Sequence, residues 1–355
     1  MVRWFSLSLL LLGSCTVYEL ESEGRIYRPR ILAMQIEPPE ARIGDRVRIT
    51  PLIATPADFS GVIDTTWLTC LGRQGDGDGE SRDWCRERSL ERVVSTANEL
   101  IYEVPDSLPK QQVEQLSFTG GYWKRLTVEI KDRFGGDQDR AFKRLVVKPA
   151  ANPLDPTAEQ RFAMTRNRNP QLPEVEVFVI ASDDTLSPVP SDANLLANTD
   201  YLFRFVINKT QRQDYQSLRI DFSGLDPSAA SQLTPEEIEQ RVTVEERRER
   251  MVMRYYRTDG RFGRDQKPVR TFDSTAEDPA YYPAEISWAL NTESRVDPLP
   301  ERVRLWFVVT DGRGGMDWVS FERSFELGEA KPRAAESSIK SPPDLGDDNC
   351  GRPGQ

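Results

Sequence analysis

The sequence contains no histidine, few cysteines and no long hydrophobic run. Without histidine there is no Ser-His-Asp or Cys-His nucleophile arrangement, no imidazole ligand for zinc and no histidine general base. Lysine and arginine number 47 against 57 acidic residues, which gives a formal net charge of −10. Nucleic-acid-binding domains carry a basic excess, so we expect no nucleic-acid partner. Hydrophobic residues make up 38% of the chain, enough to build buried cores.

Residues 1–15 have the pattern of an export signal. Arg3 precedes an apolar run from Trp4 to Leu12, far shorter than the roughly 20 residues that span a bilayer. The segment LGSC at residues 12–15 resembles the bacterial lipobox, which implies that Cys15 is acylated and becomes the mature N-terminus. Thr16, where aspartate would signal retention in the inner membrane, implies the outer membrane. The alternative is an ordinary secretory signal in which Cys15 is incidental.

Three cysteines follow Cys15, and an exported protein can form disulfides from them. Cys70 and Cys85 flank a glycine-rich acidic segment, and closing a loop of that size is worth about 3 kcal/mol in the chain-entropy model. Cys350 lies in a polar C-terminal segment. We predict a Cys70–Cys85 disulfide with Cys350 unpaired.

Alternating apolar residues predict short β-strands in two blocks. Val47, Ile49 and Ile53 begin this pattern in the first block, and Val303, Leu305 and further residues continue it in the second. A proline-rich stretch without periodicity separates the blocks. The expected organisation is a signal peptide at 1–14, a lipidated tether at 15–29, a domain at 30–148, a linker at 149–172, a domain at 173–328 and a disordered tail at 329–355.

One internal repeat joins the two blocks. Segments 126–145 and 305–324 align without gaps and share a strand, an Asp-x-x-Gly-Gly turn and a second strand. The identical pairs are Leu126/Leu305, Asp132/Asp311, Gly135/Gly314, Gly136/Gly315, Phe142/Phe321 and Arg144/Arg323. Glycine allows the positive φ of a hairpin turn, and aspartate accepts hydrogen bonds from the turn backbone. We therefore predict two homologous domains that end in matching hairpins.

The segment RILAMQIEPPEA at residues 30–41, followed by Gly44 and Asp45, resembles the first strands of bacterial Ig-like domains of the PKD type. RYYRTDGRF at 254–262, VRLWFVVTD at 303–311 and the pair Gly314-Gly315 resemble stretches of Ig-like surface lipoproteins of myxobacteria. The resemblance implies an all-β chain of two Ig-like antiparallel β-sandwich domains in tandem. It carries over no catalytic residue. Both blocks exceed the roughly 100 residues of an Ig domain, so we expect long loops.

The second block contains one predicted helix. Thr234 is suited to the N-cap, Pro235 to the first helical position, and Glu236 and Glu237 to the first turn. Dense mixed charge at 245–250 then favours a solvated helix inserted between strands.

Weak candidates for a calcium site lie in the acidic loop between Cys70 and Cys85. Asp76, Asp78 and Glu80 alternate, but Ser81 replaces the glycine that an EF-hand turn requires, so a solvated loop is favoured. Turn chemistry explains the acidic residues near the two repeated turns: Asp132, Asp137, Asp139, Asp311 and Asp317. Several tryptophans could line a carbohydrate-binding face, although core packing is favoured for them: Trp67, Trp123, Trp288, Trp306 and Trp318.

No nucleotide-binding or hydrolase motif is present. We therefore predict a lipid-anchored envelope protein without enzymatic activity or cofactor, acting as a structural or adhesive module. Its expected partners are the membrane, through the lipid, and an unidentified envelope protein or glycan. The alternative is an envelope glycan-active enzyme or a calcium-dependent binding protein.

Overall fold

The computed structural model describes residues 24–70, 91–105, 122–148, 167–221, 241–262, 269–272, 281–292 and 299–327, together with residues 223, 224, 226, 234, 237 and 240. These residues form twenty strands and one short 3-10 helix, and the strands pair almost entirely antiparallel. The all-β prediction is therefore confirmed. The strands build two β-sandwiches, one in each predicted block.

The first sandwich packs a three-stranded sheet against a five-stranded one. Its strands are β1 (Arg30–Glu37), β2 (Glu40–Arg42), β3 (Arg46–Ala54), β4 (Ile63–Cys70), β5 (Glu91–Ser95), β6 (Leu100–Glu103), β7 (Tyr122–Asp132) and β8 (Gln138–Lys148). The sheets have the orders β1-β3-β6 and β2-β8-β7-β4-β5. Alternate residues of β3 and β7 point inward, and Val47, Ile49, Leu126 and Val128 surround the fully buried Trp67. The apolar residues that recur at every second position of these strands thus form the core.

The second sandwich packs two five-stranded sheets, and the same block carries a separate two-stranded ribbon of β13 and β14. Its strands are β9 (Glu176–Ile180), β10 (Leu186–Pro188), β11 (Leu195–Leu196), β12 (Asp200–Asn208), β13 (Asp214–Ile220), β14 (Val242–Arg248), β15 (Met251–Arg257), β16 (Arg261–Phe262), β17 (Val269–Phe272), β18 (Tyr281–Ala289), β19 (Arg302–Thr310) and β20 (Met316–Glu326). The sheets have the orders β10-β9-β12-β18-β16 and β11-β20-β19-β15-β17. Phe203 lies at the centre of an aromatic core with Trp288, Phe307 and Phe321.

The two sandwiches are stacked face to face. The outer face of the β1-β3-β6 sheet meets the outer face of the sheet that contains β15, β19 and β20. We call this contact the apolar seam; its buried members are Ile26, Ala33, Leu52, Ala54, Trp306 and Val308. Leu305 and Phe307 point from the same strand β19 into the second core, so β19 is buried on both faces. The four large sheets are therefore stacked in succession, and one apolar layer lies between each sheet and the next.

The two repeated turns lie at the tips of matching hairpins, as predicted. β7 pairs with β8 around Asp132–Gly136, and β19 pairs with β20 around Asp311–Gly315. The registers differ by one residue, because Leu126 faces Lys143 whereas Leu305 faces Phe321. A slip of one residue reverses the face of every side chain on the second strand. The gap-free alignment therefore fails beyond the turn.

The identity of Phe142 with Phe321 shows the effect of this slip. Phe142 is 55% exposed and lies beneath the guanidinium of Arg125, whereas Phe321 is 5% exposed in the core. The position equivalent to Phe321 in the first domain is occupied by Lys143. The pairs Phe142/Phe321 and Arg144/Arg323 are thus not structural equivalents.

Of the predicted helix, the structure describes Thr234, Glu237 and Gln240. Glu237 and Gln240 have helical backbone, and Thr234 and Glu237 form a reciprocal capping box: each backbone N–H donates to the other's side chain, at 2.8 and 3.3 Å. The charged segment expected to continue this helix is strand β14, which pairs with β13 in a two-stranded ribbon. The helical prediction for 245–250 is therefore wrong. Arg248 and Asp214 are cross-strand partners there at 2.6 Å, a strand-type ion pair that charge composition alone does not reveal.

Candidate functional site

A buried cluster of charges lies where the β19–β20 turn meets the first sandwich. At its centre the guanidinium of Arg313 bridges a carboxylate of each domain. It donates to Glu40 at 2.9 Å and to Glu249 at 3.0 Å. The side chains of Glu40, Glu249 and Arg313 are 7%, 1% and 9% exposed. We call these three residues the charge latch.

The remaining carboxylate oxygens of the latch are held by backbone groups. Glu40 accepts from the N–H of Asn167 at 3.0 Å, and Glu249 accepts from the N–H of Gln213 at 2.9 Å. The ring of Tyr215 lies 4.6 Å from the guanidinium carbon of Arg313. Each carboxylate therefore has a charged and a neutral donor, the arrangement that a buried ion pair needs to offset its desolvation.

Burial of this cluster shifts the pKa of its acids. Burial raises the pKa of Glu249 to about 7, against the hydrogen bonds from Gln213 and Arg313, which lower it. Burial also raises the pKa of Asp311, although the backbone N–H groups of Arg313 and Gly315 donate to its Oδ1 at 2.7 and 2.9 Å. The protein thus holds two carboxylates in an environment that favours their neutral forms.

The first domain contributes a residue of opposite charge, Lys143, close enough to Asp311 for their charges to interact. Its Nζ is buried and makes no hydrogen bond to the described residues. Burial lowers its pKa to about 8, and the charge of Asp311 opposes that shift. Asp311 Oδ2 and the side-chain amide of Asn167 are buried beside each other, and the interaction with Asn167 lowers the pKa of Asp311 against the effect of burial. The junction is therefore polar as well as apolar.

Two segments outside the sandwiches also bind at this junction. The end of the predicted linker contributes Asn169, whose side chain donates to the carbonyl of Ile36 at 2.9 Å and accepts from the N–H of Met316 at 3.0 Å. In the predicted tether, the N–H of Ile26 donates to the carbonyl of Arg257 at 2.9 Å, and the N–H of Arg257 donates to the carbonyl of Gly24 at 2.8 Å. Residues 24–26 are thus attached to the second domain before the chain enters the first.

A groove opens at one side of the second sandwich, between β9 and β20. It has a volume of about 380 Å³. Its lining is mainly apolar, with one charge of each sign: Val175, Glu176, Val177, Phe178, Pro188, Val189, Pro190, Ser191, Phe321 and Arg323. The guanidinium of Arg323 lies 4.5 Å from the ring centroid of Phe321. An apolar recess with a few charged groups can orient and bind a ligand.

Most of the site residues predicted from sequence lie outside the described residues. These are Cys15, Cys85, Asp76, Asp78 and Glu80. Cys70 ends strand β4, and its backbone pairs with Glu91. The acylation of Cys15 and the Cys70–Cys85 disulfide therefore stay predictions, as does the assignment of the acidic loop.

The turn acids that the structure describes accept backbone hydrogen bonds. Asp132 accepts from the N–H of Phe134 at 3.0 Å, which matches the role of Asp311 in the other hairpin. Asp139 accepts from the N–H of Ile31 at 2.7 Å, and Asp317 accepts from the N–H of Leu172 at 2.8 Å. Within the described ranges, no three acidic or cysteine side chains are grouped as metal ligands would be. Turn chemistry therefore accounts for Asp132 and Asp311, as predicted. It does not account for Asp139 and Asp317, which bind backbone groups of segments that are distant in the sequence.

The tryptophans with described side chains serve packing. Trp67 and Trp288 are buried in the two cores, and their Nε1 groups donate to the carbonyls of Ala97 and Asp259 at 2.8 and 2.9 Å. Trp306 and Trp318 pack at the apolar seam. The core interpretation is confirmed for Trp67 and Trp288, whereas Trp306 and the partly buried Trp318 pack between the two domains. The side chain of Trp123 lies outside the description.

The charge latch was not predicted from the sequence. Glu40 lies in the segment that resembles the first strands of an Ig-like domain, Glu249 in the predicted helix, and Arg313 between the turn residues of the repeat. Arg313 alone of the three stands in a recognisable local sequence pattern. It is the residue between the two turn glycines Gly312 and Gly314, and both have positive φ.

No protein-family model matches the chain, and no curated protein is significantly similar to it in sequence. Among solved structures, it is similar to a carbohydrate-binding module of the β-sandwich superfamily, with 11% identity, 82% of this chain and 98% of that chain covered, and a TM-score of 0.23. It is also similar to the four N-terminal Ig domains of Dscam1, with 10% identity, 86% and 74% covered, and a TM-score of 0.19. At these TM-scores the superpositions assign no function to this chain.

A third similar structure is the dimeric latent PorU from Porphyromonas gingivalis, with 9% identity, 85% of this chain and 34% of that chain covered, and a TM-score of 0.18.

In the part of the chain that the structure describes, no helix is long and apolar enough to cross a membrane.

Proposed function

We propose that the protein is a lipid-anchored, non-catalytic module of the bacterial cell envelope, which binds an envelope protein or glycan at the outer membrane. The lipid on Cys15 would hold the protein at the bilayer, with two or three acyl chains because a single chain binds only marginally. The folded part would then present a binding surface above the membrane. No cofactor and no nucleic acid has a role in this proposal.

The observation that carries the proposal is the union of both sandwiches and the end of the tether in one body. The apolar seam and the charge latch join the domains, and residues 24–26 pair with Arg257 of the second domain. A pull on the anchor would therefore act first on the attachment of residues 24–26 to the second domain, and from there on the junction. Such a body suits a structural or adhesive role, in which geometry must be kept under load.

The groove beside β20 is the proposed binding surface. Phe178 and Val189 offer apolar contact, while Glu176 and Arg323 offer one acceptor and one set of donors. This combination suits either a sugar ring with its hydroxyl groups or a short peptide segment.

The anchor is tested with Cys15→Ser. We expect the variant to be released from membranes or to keep its signal peptide uncleaved, since the thiol is the acylation site that the lipobox resemblance implies. Membrane fractionation and mass spectrometry of the N-terminal peptide measure both effects. Cys350→Ser is the matched control and should fractionate as the wild type does. A Cys15→Ser protein that partitions with membranes like the wild type would contradict the anchor.

Binding is tested by capturing partners with the detergent-solubilised lipoprotein. Arg323→Ala and Glu176→Ala should reduce capture, whereas Arg302→Ala, which breaks an exposed pair with Glu322 outside the groove, should not. Equal capture by all three variants would move the binding surface elsewhere. Hydrolysis of envelope glycans would favour the enzyme alternative, and a calcium-dependent rise in Tm would favour the calcium-dependent one.

A further inference from the structure

One side of the second sandwich is open where the corresponding side of the first is closed. In the first domain β1 packs along β8, and the N–H of Ile31 on β1 donates to the carboxylate of Asp139 on β8 at 2.7 Å. The same places in the second domain are taken by its first strand, β9, and its last, β20, and the groove lies between them. The second domain therefore leaves a space beside β20 that the first domain closes with a strand.

One edge of β20 lacks a neighbouring strand over most of its length, in the part of the chain that the structure describes. β19 pairs with the opposite edge throughout residues 316–324, without a bulge. On the open edge, β11 pairs only with Phe325 and Glu326, at the end of the strand. The outermost strands of the two sheets, β10, β11, β16 and β17, are two to four residues long, and such short strands protect an edge from further pairing.

The direction of the backbone groups follows from the hydrogen bonds at the two ends of β20. On the open edge, the N–H of Met316 donates to Oδ1 of Asn169 at 3.0 Å, and the carbonyl of Glu326 accepts from the N–H of Ala197 at 3.0 Å. Successive residues of a strand direct their backbone groups to opposite edges, so the even-numbered residues of β20 face the open edge. Ser320 lies midway among them, and its backbone N–H and carbonyl have no hydrogen-bond partner among the described residues.

The side chains beside this edge define the chemistry of a partner. Phe178 and Val189 line the groove, which the inward side chains of an added strand would enter. Arg323 lines the same groove and donates to the carbonyl of Glu322 at 2.7 Å, so its guanidinium lies at the open edge. The other N–H groups of this guanidinium favour a carboxylate on the partner.

We propose that β20 accepts an extended peptide segment of a partner protein as a further strand of its sheet. The backbone of the segment would pair with the open edge, its alternate apolar side chains would enter the groove, and an acidic side chain would meet Arg323. Because the groove is the binding surface of the proposed function, this inference rests on that function, and it names a peptide as the ligand. Backbone N–H and carbonyl groups at strand spacing match the backbone of another strand, whereas a sugar ring has no such spacing.

The experiment selects phage-displayed random peptides on the full-length protein and measures their affinity by fluorescence anisotropy. Ser320→Pro removes an N–H on the open edge that takes no part in the pairing with β19, so the variant should keep the wild-type Tm. It should weaken peptide binding by about tenfold, because the partner strand loses a hydrogen bond and meets the proline ring. Ser320→Ala is the matched control and should bind the peptides as the wild type does.

A second arm alters the peptide and leaves the protein unchanged, so it decides the question even if Ser320→Pro unfolds. N-methylation of every second residue of a selected peptide blocks either the N–H groups that face β20 or those that face away from it. We expect one of these two methylated peptides to bind about tenfold more weakly and the other to bind almost as the parent does. Equal effects in both would overturn strand addition.

The remaining outcomes separate this inference from the proposed function. A selection that yields no peptide, or peptides that bind Ser320→Pro as tightly as the wild type, would overturn strand addition. So would a dimer that dissociates in Ser320→Pro, since the edge would then belong to a second copy of the chain. Capture of envelope partners that is lost in Arg323→Ala and Glu176→Ala but kept in Ser320→Pro would overturn strand addition and leave the groove as the binding surface. Capture kept in all three variants would refute the groove itself.

Discussion

Gly260 occupies a position in the second domain where any side chain is excluded for two independent reasons. Its φ is +79°, a conformation that residues with a Cβ rarely adopt. A Cβ at this position would also lie 2.5 Å from the indole of Trp288. That indole is 1% exposed and donates to the carbonyl of Asp259, so it has little freedom to move. We therefore predict that Gly260→Ala destabilises the second domain strongly.

The two costs can be separated in magnitude. A left-handed backbone conformation costs an alanine about 1–2 kcal/mol. Forcing an extra methyl group against a packed core costs a further 1–3 kcal/mol or so. Gly260→Ala should then lower the free energy of unfolding by roughly 2–5 kcal/mol. Gly136→Ala is the matched control, because its φ is +77° and nothing lies within 4 Å of the added Cβ. It should cost only the backbone part.

Urea unfolding, followed by tryptophan fluorescence and by calorimetry, measures both variants. Because Trp288 lies in the affected core, its fluorescence should report the lost stability of the second domain directly. Equal destabilisation by Gly260→Ala and Gly136→Ala would show that the indole of Trp288 moves aside with no loss of free energy of unfolding. The packing explanation for Gly260 would then be refuted.

Two further pairs of substitutions, each a variant with its control, test the core assignments. Phe321→Ala should lower the free energy of unfolding, measured in urea, by about 3–5 kcal/mol, and Phe142→Ala should lower it by less than about 1 kcal/mol, because only Phe321 is buried. Equal losses of stability would contradict the register slip. The pKa of Lys143 is lowered from 10.5 to about 8, so the folded protein releases its proton first and wild-type stability should rise from pH 8 toward 10.5. Lys143→Met should abolish this rise and Lys131→Met, on an exposed position, should keep it; a rise that survives Lys143→Met would contradict the assignment.

The sequence pattern predicts the fold well where local physics determines it. Alternation of apolar residues marks β3, β7 and β12, and the Asp-x-x-Gly-Gly turns mark both hairpin tips. Turn geometry depends on a few neighbouring residues, so it can be recognised without tertiary information. The predicted N-cap at Thr234 forms for the same reason, as one half of a capping box with Glu237.

The failures come from interactions between distant residues. Charge density at 245–250 does not distinguish a solvated helix from a ribbon strand, because the partner Asp214 is remote in sequence. The register of β8 and β20 depends on how many residues each turn accommodates, and a gap-free alignment hides that difference. The charge latch joins residues from both domains, and no local pattern brings Glu40 to Arg313.

The stacking of the sandwiches, by contrast, has a signal in the sequence. In a strand with one face in water, apolar and polar residues alternate. Residues 305–309 instead read Leu-Trp-Phe-Val-Val, and all five are buried. A continuous apolar run of this length is typical of a strand covered on both faces. Leu305, Phe307 and Val309 fill the second core, so Trp306 and Val308 require another cover, and the first domain supplies it through Ala33 and Leu52. Separated from its partner, either domain would expose this seam to water. The two sandwiches are thus one structural unit, which the apolar seam and the charge latch at its edge hold together.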